Sequence, residues 1–315
     1  MVRLNSTPRG RLIRTGNRTL HLHQTGAGGP AIVLEAGIAA TSVSWSLVAP
    51  LLAQEMTVLA YDRAGFGWSG PAEGADALDD LEAVLEASGV AGPFVLVGHS
   101  FGGLLVRRFQ QRRPDLVAGL VLVDPLVRAE WQPLSPQRAA MLRRGAMLSR
   151  RGALLAKLGV VRAALWLLLN GAHKLPKMIA KASAGQGAGI TDRLAGEVRK
   201  MPRHLWPAVA GHWSRAQSFR AMADNLERLP AAIAALDETR GLGDLPITVL
   251  SAATSSAVAL AEHAREAGLS TRGKHVLVPD STHWLLLDQP EVVAQAVKDI
   301  AAKVTTLAGS MFHCS

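Results

Sequence analysis

The chain has 315 residues and a formal net charge of +9, with a sequence pI of about 10.4. Hydrophobic residues make up 49% of it and charged residues only 19%, which excludes a disordered chain and allows a large α/β domain with a sizeable core. The one cysteine, Cys314, excludes an internal disulfide and a cysteine-based metal site.

The basic residues are spread along the chain in pairs such as Arg107-Arg108, without the interleaved aromatics of a nucleic-acid site. The most apolar segment, residues 152–171, is interrupted by Lys157 and Arg162, so it does not predict a transmembrane helix. We interpret it as a buried or groove-lining helix, with a helix in contact with lipid as the less favoured alternative. No signal-peptide pattern opens the sequence, and we expect a cytoplasmic protein without a nucleic-acid partner.

Strand and helix patterns alternate between residues 31 and 125. Residues 19–23 alternate as a half-exposed strand does. Short apolar runs predict buried strands at 31–35, 57–61, 94–97 and 120–123, separated by helical spacing at 45–52, 79–88 and after residue 101. This order predicts an α/β fold with a mostly parallel, doubly wound sheet, right-handed crossovers and helices on both faces.

The alternation stops at residue 126 and resumes near residue 246. Between them the chain is rich in Ala, Leu and Arg, and it contains no convincing strand. Strand patterns return at 246–250 and 275–278, followed by a last helix from about Pro290 for which Asp288 is the predicted N-cap. We therefore predict a core in two parts, residues 1–125 and 236–315, and a helical cap over residues 126–235.

The stretch FVLVGHSFGGLLVRRF, residues 94–109, passes directly from a strand pattern into a helix pattern. Gly98, Ser100 and Gly102 fit the G-x-S-x-G pattern of a sharp strand-to-helix turn. Such a turn strains the backbone of the serine and points a helix N-terminus at its hydroxyl, which favours a developing oxyanion. Ser100 is the predicted nucleophile. A phosphate-binding or purely structural turn is the alternative, disfavoured because no Lys-Ser/Thr pair follows.

A serine needs a base before it acts as a nucleophile. His283 follows a predicted strand and precedes the last helix, so we expect it at the carboxyl edge of the sheet, where Ser100 also lies. His99 adjoins the serine but is expected to point away and to pack. Three further histidines fall in the insertion, where they could line a pocket: His173, His204 and His212.

The base in turn needs an orienting acid. Residues 251–256, SAATSS, follow the strand at 246–250 but contain no carboxylate. Asp124 ends the strand at 120–123, and the order Ser100, Asp124, His283 matches the Ser…Asp…His order of a nucleophile-elbow triad. Asp124 is therefore the predicted acid, its other reading being a turn cap before Pro125. The competing carboxylates are Glu130, Glu262 and Asp280.

Three blocks of the sequence resemble the α/β-hydrolase superfamily, most of all its capped esterase, lipase and aminopeptidase-like branch. They are VLEAGIAATSVSW (33–45), VLAYDRAGFGWSG (58–70) and FVLVGHSFGGLLVRRF (94–109). The resemblance implies an oxyanion hole built from the backbone N–H groups of Ile38 and Phe101, and a bracing turn at Asp62 and Arg63. The chain departs from many members by having Ala36 before Gly37 and no acid after the later strand. Some lipases and dehalogenases place that acid where Asp124 lies.

The resemblance also implies that the helical insertion covers the serine. Its apolar helices predict a hydrophobic substrate, and the candidate pocket residues are Gly37, His99, Trp166, Trp206, Trp213 and Phe219. We predict a carboxylesterase- or lipase-like serine hydrolase that cleaves carboxylic esters of small to medium hydrophobic substrates through an acyl-enzyme, with no metal or cofactor. Haloalkane dehalogenase and epoxide hydrolase chemistry are disfavoured, because those relatives carry an aspartate at the position of Ser100. The alternatives are an amide or peptide hydrolase and a non-catalytic ligand-binding receptor or accessory protein on the same scaffold.

Overall fold

An eight-stranded sheet forms the centre of the computed structural model, which describes residues 9–72, 74, 76–169, 196–237 and 239–311. The strands are β1 (Arg11–Thr15), β2 (Arg18–Thr25), β3 (Ile32–Glu35), β4 (Val58–Asp62), β5 (Phe94–His99), β6 (Val117–Val123), β7 (Ile247–Ala252) and β8 (Gly273–Val278). They lie in the order β1-β2-β4-β3-β5-β6-β7-β8. β1, β2 and β4 are joined by antiparallel pairs, and every later pair is parallel. The predicted mostly parallel sheet is confirmed.

Helices cover both faces of this sheet, and further helices form the insertion. In chain order the helices of the described residues are α1 (Ala49–Leu52), α2 (Ala77–Ser88), α3 (Phe101–Arg112), α4 (Pro136–Lys157), α5 (Val160–Leu169), α6 (Trp206–Trp213), α7 (Ala216–Ala234), α8 (Ala257–Ala267), α9 (Leu285–Asp288) and α10 (Pro290–Met311). One face packs against α2, α3 and α8, and the other packs against α1, α9 and α10. The central strands β3 and β5 are buried along their whole length, as expected of parallel strands covered on both faces.

Helices α4 to α7 fill the region between β6 and β7 where the sequence predicts a cap. α4 lies against α7, since a methyl group on Gly152 would come within 2.6 Å of the Phe219 ring. Arg215 and Gln217, at the start of α7, donate to the carbonyl oxygens of Gly67 at 2.5 Å and Ser69 at 2.8 Å. These bonds tie the inserted helices to the loop after β4. The domain boundaries at residues 126 and 235 stay a prediction, and His173 lies outside the described residues.

Two local predictions need correction. Residues 45–52 do not form one helix, because a 3-10 turn at Ser42–Trp45 comes before the four-residue α1. Asp288 ends the short helix α9 instead of capping α10, and its carboxylate accepts from the N–H of Thr282 at 2.7 Å and from its hydroxyl at 2.6 Å. Within the described ranges, no helix combines the length and apolar character needed to cross a bilayer.

Candidate active site

Ser100 occupies the apex of a turn between β5 and α3. Its backbone has φ 54° and ψ −119°, a conformation that costs a non-glycine residue about 1–3 kcal/mol. The strand and helix approach so closely that a methyl group on Gly98 would lie 2.5 Å from the carbonyl oxygen of Gly102. A methyl group on Gly102 would in turn meet the backbone of Glu35 and Ala36 on β3. The two glycines therefore allow the turn that the sequence pattern predicts.

Asp124 and His283 form the central pair of the site. The Oδ2 atom of Asp124 lies 2.6 Å from Nδ1 of His283. A carboxylate acceptor at Nδ1 holds the proton on that nitrogen, which leaves the lone pair of Nε2 free to accept another proton. The His283 side chain is 49% exposed, so solvent or a ligand can reach it.

The acid is held by the loop after β7. Asp124 itself has a positive φ of 41°, and its Oδ1 accepts from the N–H of Ala252 at 3.1 Å and from the hydroxyl of Ser255 at 2.7 Å. Burial alone raises the pKa of the Asp124 carboxyl, but the hydrogen bonds from His283, Ala252 and Ser255 outweigh it and lower the pKa below its ordinary value. Asp124 is therefore a carboxylate at neutral pH.

Two of the three competing carboxylates bond other groups. Glu130 pairs with Arg138 at 3.2 Å. Glu262 accepts from the backbone N–H groups of Arg128 at 2.6 Å and Ala129 at 2.9 Å. Asp280 lies three residues before His283 in the chain and has a positive φ of 51°. Of the four candidates, Asp124 is the one whose carboxylate bonds the His283 ring.

His99 joins the serine turn to the loop that carries His283. Its Nε2 lies 2.7 Å from the backbone oxygen of His283, and the two rings lie 4.8 Å apart. Burial, together with the nearby His283, lowers the pKa of His99 to about 3, so its ring is neutral and Nε2–H donates to that carbonyl. On the other side of the turn, the N–H of Ser100 donates to the carbonyl of Val123 at 3.0 Å, directly before Asp124. These bonds bring the segments that carry Ser100, Asp124 and His283 to one edge of the sheet.

Arg63 orients the loop that contains Ile38. The guanidinium is buried and donates to the carbonyls of Ala36 at 2.7 Å, Gly37 at 2.5 Å and Ile38 at 3.2 Å. In a trans peptide the C=O and N–H point in opposite directions, so the Ile38 N–H points away from Arg63. A methyl group on Gly37 would lie 3.7 Å from Cβ of Ser100, which places this peptide beside the serine.

A buried carboxylate balances the charge of Arg63. Glu35 bonds both the guanidinium of Arg63 and the hydroxyl of Tyr61. Burial raises the pKa of Glu35, and Arg63 and Tyr61 partly offset that shift. The neighbouring Asp62 accepts from the N–H of Ser42 at 2.7 Å and of Trp68 at 3.0 Å. The Asp62-Arg63 turn therefore contacts both the loop after β3 and the loop after β4, as a bracing turn would.

The predicted pocket residues of the cap lie in different surroundings. Trp206 donates to the carbonyl of Met201 at 3.0 Å. Trp206, Trp213 and Trp284 are half-buried, and all three pack against the hydrophobic cluster on the α1, α9 and α10 side of the sheet. Phe219 faces Gly152 of α4, and Trp166 lies on α5. Their roles as pocket residues stay predictions.

His212 and Asn225 connect the cap to the loops after β4 and β3. His212 is buried, and its ring stands edge-on to Trp68 at 4.3 Å. Asn225 of α7 donates to the carbonyl of Ile38 at 3.2 Å. Neither Asn225 nor Ser255 can be predicted as a site residue from the sequence, because a single amide or hydroxyl in a helical or serine-rich stretch belongs to no recognisable pattern.

Residues 30–290 match a family model described as alpha/beta hydrolase fold. Lipase LipV from Mycobacterium tuberculosis is 39% identical over 112 residues, which are 34% of this chain and 42% of that protein. The chain spans less than half the length of the curated relatives it matches.

Solved structures resemble the chain over most of its length. A candidate epoxide hydrolase from Pseudomonas aeruginosa superposes with a TM-score of 0.68 at 20% identity, covering 94% of this chain and 96% of that one. A thermophilic esterase from Thermogutta terrifontis gives a TM-score of 0.59 at 24% identity, covering 95% and 99%. At these identities the likeness concerns the fold.

Proposed function

The chain belongs to the α/β-hydrolase fold family, and we propose that within it the protein is a serine hydrolase of carboxylesterase or lipase type. It cleaves carboxylic esters of small to medium hydrophobic substrates through an acyl-enzyme. The observation that carries the proposal is the Asp124–His283 pair at 2.6 Å. Ser100 lies at the apex of a strand-to-helix turn, and its neighbour His99 bonds the backbone oxygen of His283 at 2.7 Å. A base oriented by an acid beside an activated serine is the arrangement that acyl transfer requires.

In the proposed reaction the Oγ of Ser100 attacks the ester carbonyl carbon. Nε2 of His283 takes the serine proton, and Asp124 stabilises the imidazolium that forms. The tetrahedral intermediate then collapses, the C–O bond to the alcohol breaks, and His283 returns the proton to the leaving alkoxide. Water repeats the sequence on the acyl-serine and releases the carboxylic acid. Atoms and protons balance with no metal or cofactor.

The oxyanion of each tetrahedral intermediate needs donors that are fixed before the reaction. We assign them to the backbone N–H groups of Ile38 and Phe101. Phe101 opens α3, where an N–H has no partner within the helix, and the Ile38 peptide is oriented by Arg63 through the carbonyl of Gly37. Each such donor contributes about 3–4 kcal/mol to transition-state stabilisation.

Serine at the nucleophile position favours esters over epoxides. A carboxylate nucleophile that opens an epoxide forms an ester, which water can hydrolyse to regenerate the enzyme. Serine attack would form an ether, for which the site offers no hydrolytic route. An acyl-serine is itself an ester and turns over. The Trp284 ring lies 5.4 Å from the His99 ring, and the half-buried Trp206 and Trp213 pack against the same apolar cluster as Trp284. These indole rings favour an apolar acyl or alcohol group.

A fluorophosphonate probe tests the nucleophile directly. We expect the wild-type protein to be labelled stoichiometrically and Ser100→Ala to remain unlabelled, with both proteins equally folded by circular dichroism. A panel of p-nitrophenyl esters from acetate to long acyl chains then tests the substrate class. Labelling that persists in Ser100→Ala would overturn the assignment of Ser100, and a folded protein that turns over no ester on the panel would overturn the ester class.

A further inference from the structure

Exposed apolar side chains of the described residues concentrate on one helix of the cap. More than half of the large hydrophobic side chains that are exposed lie on α4 or within two residues of its ends: Leu134, Met141, Met147, Leu154 and Leu158. The most exposed are Leu154 at 60% and Leu158 at 68%. The others are scattered over strands and helices of the core. Single exposed leucines are ordinary on protein surfaces, whereas a cluster of them marks a surface that binds something.

Cationic side chains stand among these apolar groups. Arg143, Arg144, Arg150, Arg151 and Lys157 are all exposed, and the sequence of α4 contains no acidic residue. Arg150 is paired with Glu227 of α7 at 2.7 Å. In the part of the chain that the structure describes, no carboxylate pairs with Arg143, Arg144 or Arg151. The surface therefore presents both apolar area and positive charge that is not neutralised locally.

The same surface contains a groove between α4 and α7. Its volume is about 620 Å³. The apolar part of its lining includes Leu134, Leu142, Met147, Leu154, Leu226 and Pro230. The charged part of its lining consists of Arg143, Arg150, Arg151 and Glu227, and Glu227 pairs with Arg150. An apolar groove bordered by guanidinium groups is complementary to a molecule with an acyl chain and an anionic headgroup.

We propose that this exposed surface, called the α4 face, docks on an anionic lipid surface. The α4 face consists of Leu134, Met141, Arg143, Arg144, Met147, Arg151, Leu154, Lys157 and Leu158. Leucine and methionine side chains gain free energy by entering the headgroup–acyl boundary, while arginine and lysine pair with lipid phosphates there. Nucleic acid would satisfy the guanidinium groups but would leave the leucines in water. The sequence alone does not favour membrane contact, because it does not reveal which face of the helix stays uncovered. This inference holds whether or not the protein cleaves esters.

Docking through α4 would bring lipid close to the cap of the candidate site. α4 packs on α7, and α7 contacts the Ile38 carbonyl through Asn225 and the Gly67 carbonyl through Arg215. One helix layer therefore separates the proposed docking face from the loops beside Ser100. A hydrophobic substrate dissolved in the bilayer would be concentrated near the site.

Vesicle co-sedimentation of the full chain tests the proposal. We expect binding to vesicles of 30% phosphatidylglycerol in phosphatidylcholine and little binding to pure phosphatidylcholine. Raising the salt from about 0.05 to 0.5 M shortens the Debye length to a few ångströms and should weaken binding at least tenfold. Arg143→Glu/Arg144→Glu should weaken it roughly 25-fold or more, since each basic residue near the surface is worth about fivefold. Leu154→Gln/Leu158→Gln should weaken it roughly tenfold or more.

Matched variants control for charge and apolarity. Lys274→Glu/Lys303→Glu makes the same charge change at two exposed residues outside the cap. Leu12→Gln/Leu277→Gln removes two exposed leucines that also lie outside the cap. Both should bind vesicles like the wild type, and thermal unfolding should show every variant folded. Absence of binding to anionic vesicles, or equal losses in the matched variants, would overturn the proposal. So would α4 substitutions that abolish binding to duplex DNA, or that dissociate a dimer, while vesicle binding stays intact.

Discussion

Asp124 and His283 are 159 residues apart in the chain and 2.6 Å apart in the structure. The acid comes from the end of β6, while the neighbouring loop after β7 contributes donors in the form of the Ala252 N–H and the Ser255 hydroxyl. The carboxylate at the end of β6 is thus held by hydrogen bonds from the neighbouring strand β7 and the loop after it. Three kinds of donor converge on one side chain, which fixes both its charge and its direction.

The first prediction concerns the acid itself. We expect Asp124→Asn to lower kcat for a p-nitrophenyl ester by roughly 10⁴, because an amide at this position no longer holds the proton on Nδ1 of His283. Steady-state kinetics checks this value. Asp280→Asn and Glu130→Gln are the matched controls, and both should keep near wild-type kcat. Asp124→Asn with unchanged kcat would show that another group orients the base.

The second prediction concerns Ser255, the hydroxyl donor to Asp124. A hydrogen bond to a charged group contributes about 1.5–3 kcal/mol, so Ser255→Ala should lower the stability of the protein at pH 7 and reduce kcat roughly tenfold. Removing this donor raises the pKa of Asp124 toward its ordinary value. Since a depressed folded-state pKa stabilises the protein above the unfolded pKa, the stability difference should begin to shrink as the pH falls below about 4 and be lost through the lower folded-state pKa.

Urea denaturation at pH 7 and pH 3, with kcat measured in parallel, checks the prediction for Ser255. Ser255→Thr keeps a hydroxyl and should restore most of the activity. Thr254→Ala removes a neighbouring exposed hydroxyl and should change neither quantity. Equal stability losses for Ser255→Ala at both pH values would assign the effect to packing instead of to the carboxylate.

The third prediction concerns the close approach of β5 and α3. In Gly98→Ala the new methyl group would lie 2.5 Å from the carbonyl oxygen of Gly102 and 2.7 Å from the nitrogen of Gly103. Both are backbone atoms, so the strand and helix must separate. We expect a loss of about 1–3 kcal/mol or more in the free energy of unfolding, together with loss of fluorophosphonate labelling at Ser100.

A glycine with free space around it provides the control for Gly98. Gly196 lies in a helical segment, and a methyl group there would meet nothing within 4 Å. Gly196→Ala should therefore leave labelling intact and leave the stability equal or up to about 1 kcal/mol higher. A Gly98→Ala protein with wild-type stability and labelling would contradict the tight turn.

The sequence allows the sheet and the serine turn to be predicted because their patterns are local. Continuous apolar runs fit β3, β4 and β5 within about two residues, and the run for β6 begins three residues late, at 120 instead of Val117. The patterns are clear because a strand covered on both faces has no polar positions that interrupt them. Asp124 could be chosen because parallel strands bring their carboxyl ends to one edge. Because residues 251–256 contain no carboxylate, the end of the neighbouring strand β6 is the next position to consider for the acid that orients His283.

The remaining features could not be predicted because they depend on tertiary contacts. Asp288 resembles an N-cap in sequence, but its carboxylate bonds Thr282 beside His283 and the ammonium of Lys200. Ser255 and Asn225 act through single hydrogen bonds across large sequence separations. Among the described residues, the exposed face of α4 can be identified only from the packing of α4 on α7, since the sequence of α4 has apolar and basic residues on more than one side.

The fourth prediction concerns the buried histidine of the cap. The His212 ring stands edge-on to Trp68. Both of its ring nitrogens are buried without a hydrogen-bond partner among the described residues. Burial lowers the pKa of His212 to about 4, the carboxylate of Asp62 opposes the shift, and Arg215 and His21 add to it. Between about pH 6.5 and pH 4 the unfolded chain therefore binds a proton at His212 that the folded protein does not bind. Each pH unit in that window costs about 1.4 kcal/mol of stability for this group.

His212→Phe should remove this share of the acid sensitivity. Chemical denaturation at pH 7.5 and pH 4.5 should show the variant losing about 2–3 kcal/mol less stability than the wild type between the two values, because no proton is taken up at this position on unfolding. At pH 7.5 the two proteins should be within about 1 kcal/mol, since the neutral ring forms no hydrogen bond that the substitution removes. His204→Phe changes an exposed histidine of the preceding turn and should leave the pH dependence as it is. Parallel stability curves for His212→Phe and the wild type would mean that the buried ring accepts its proton in the folded protein, and the cap would then contain a charged histidine next to Trp68.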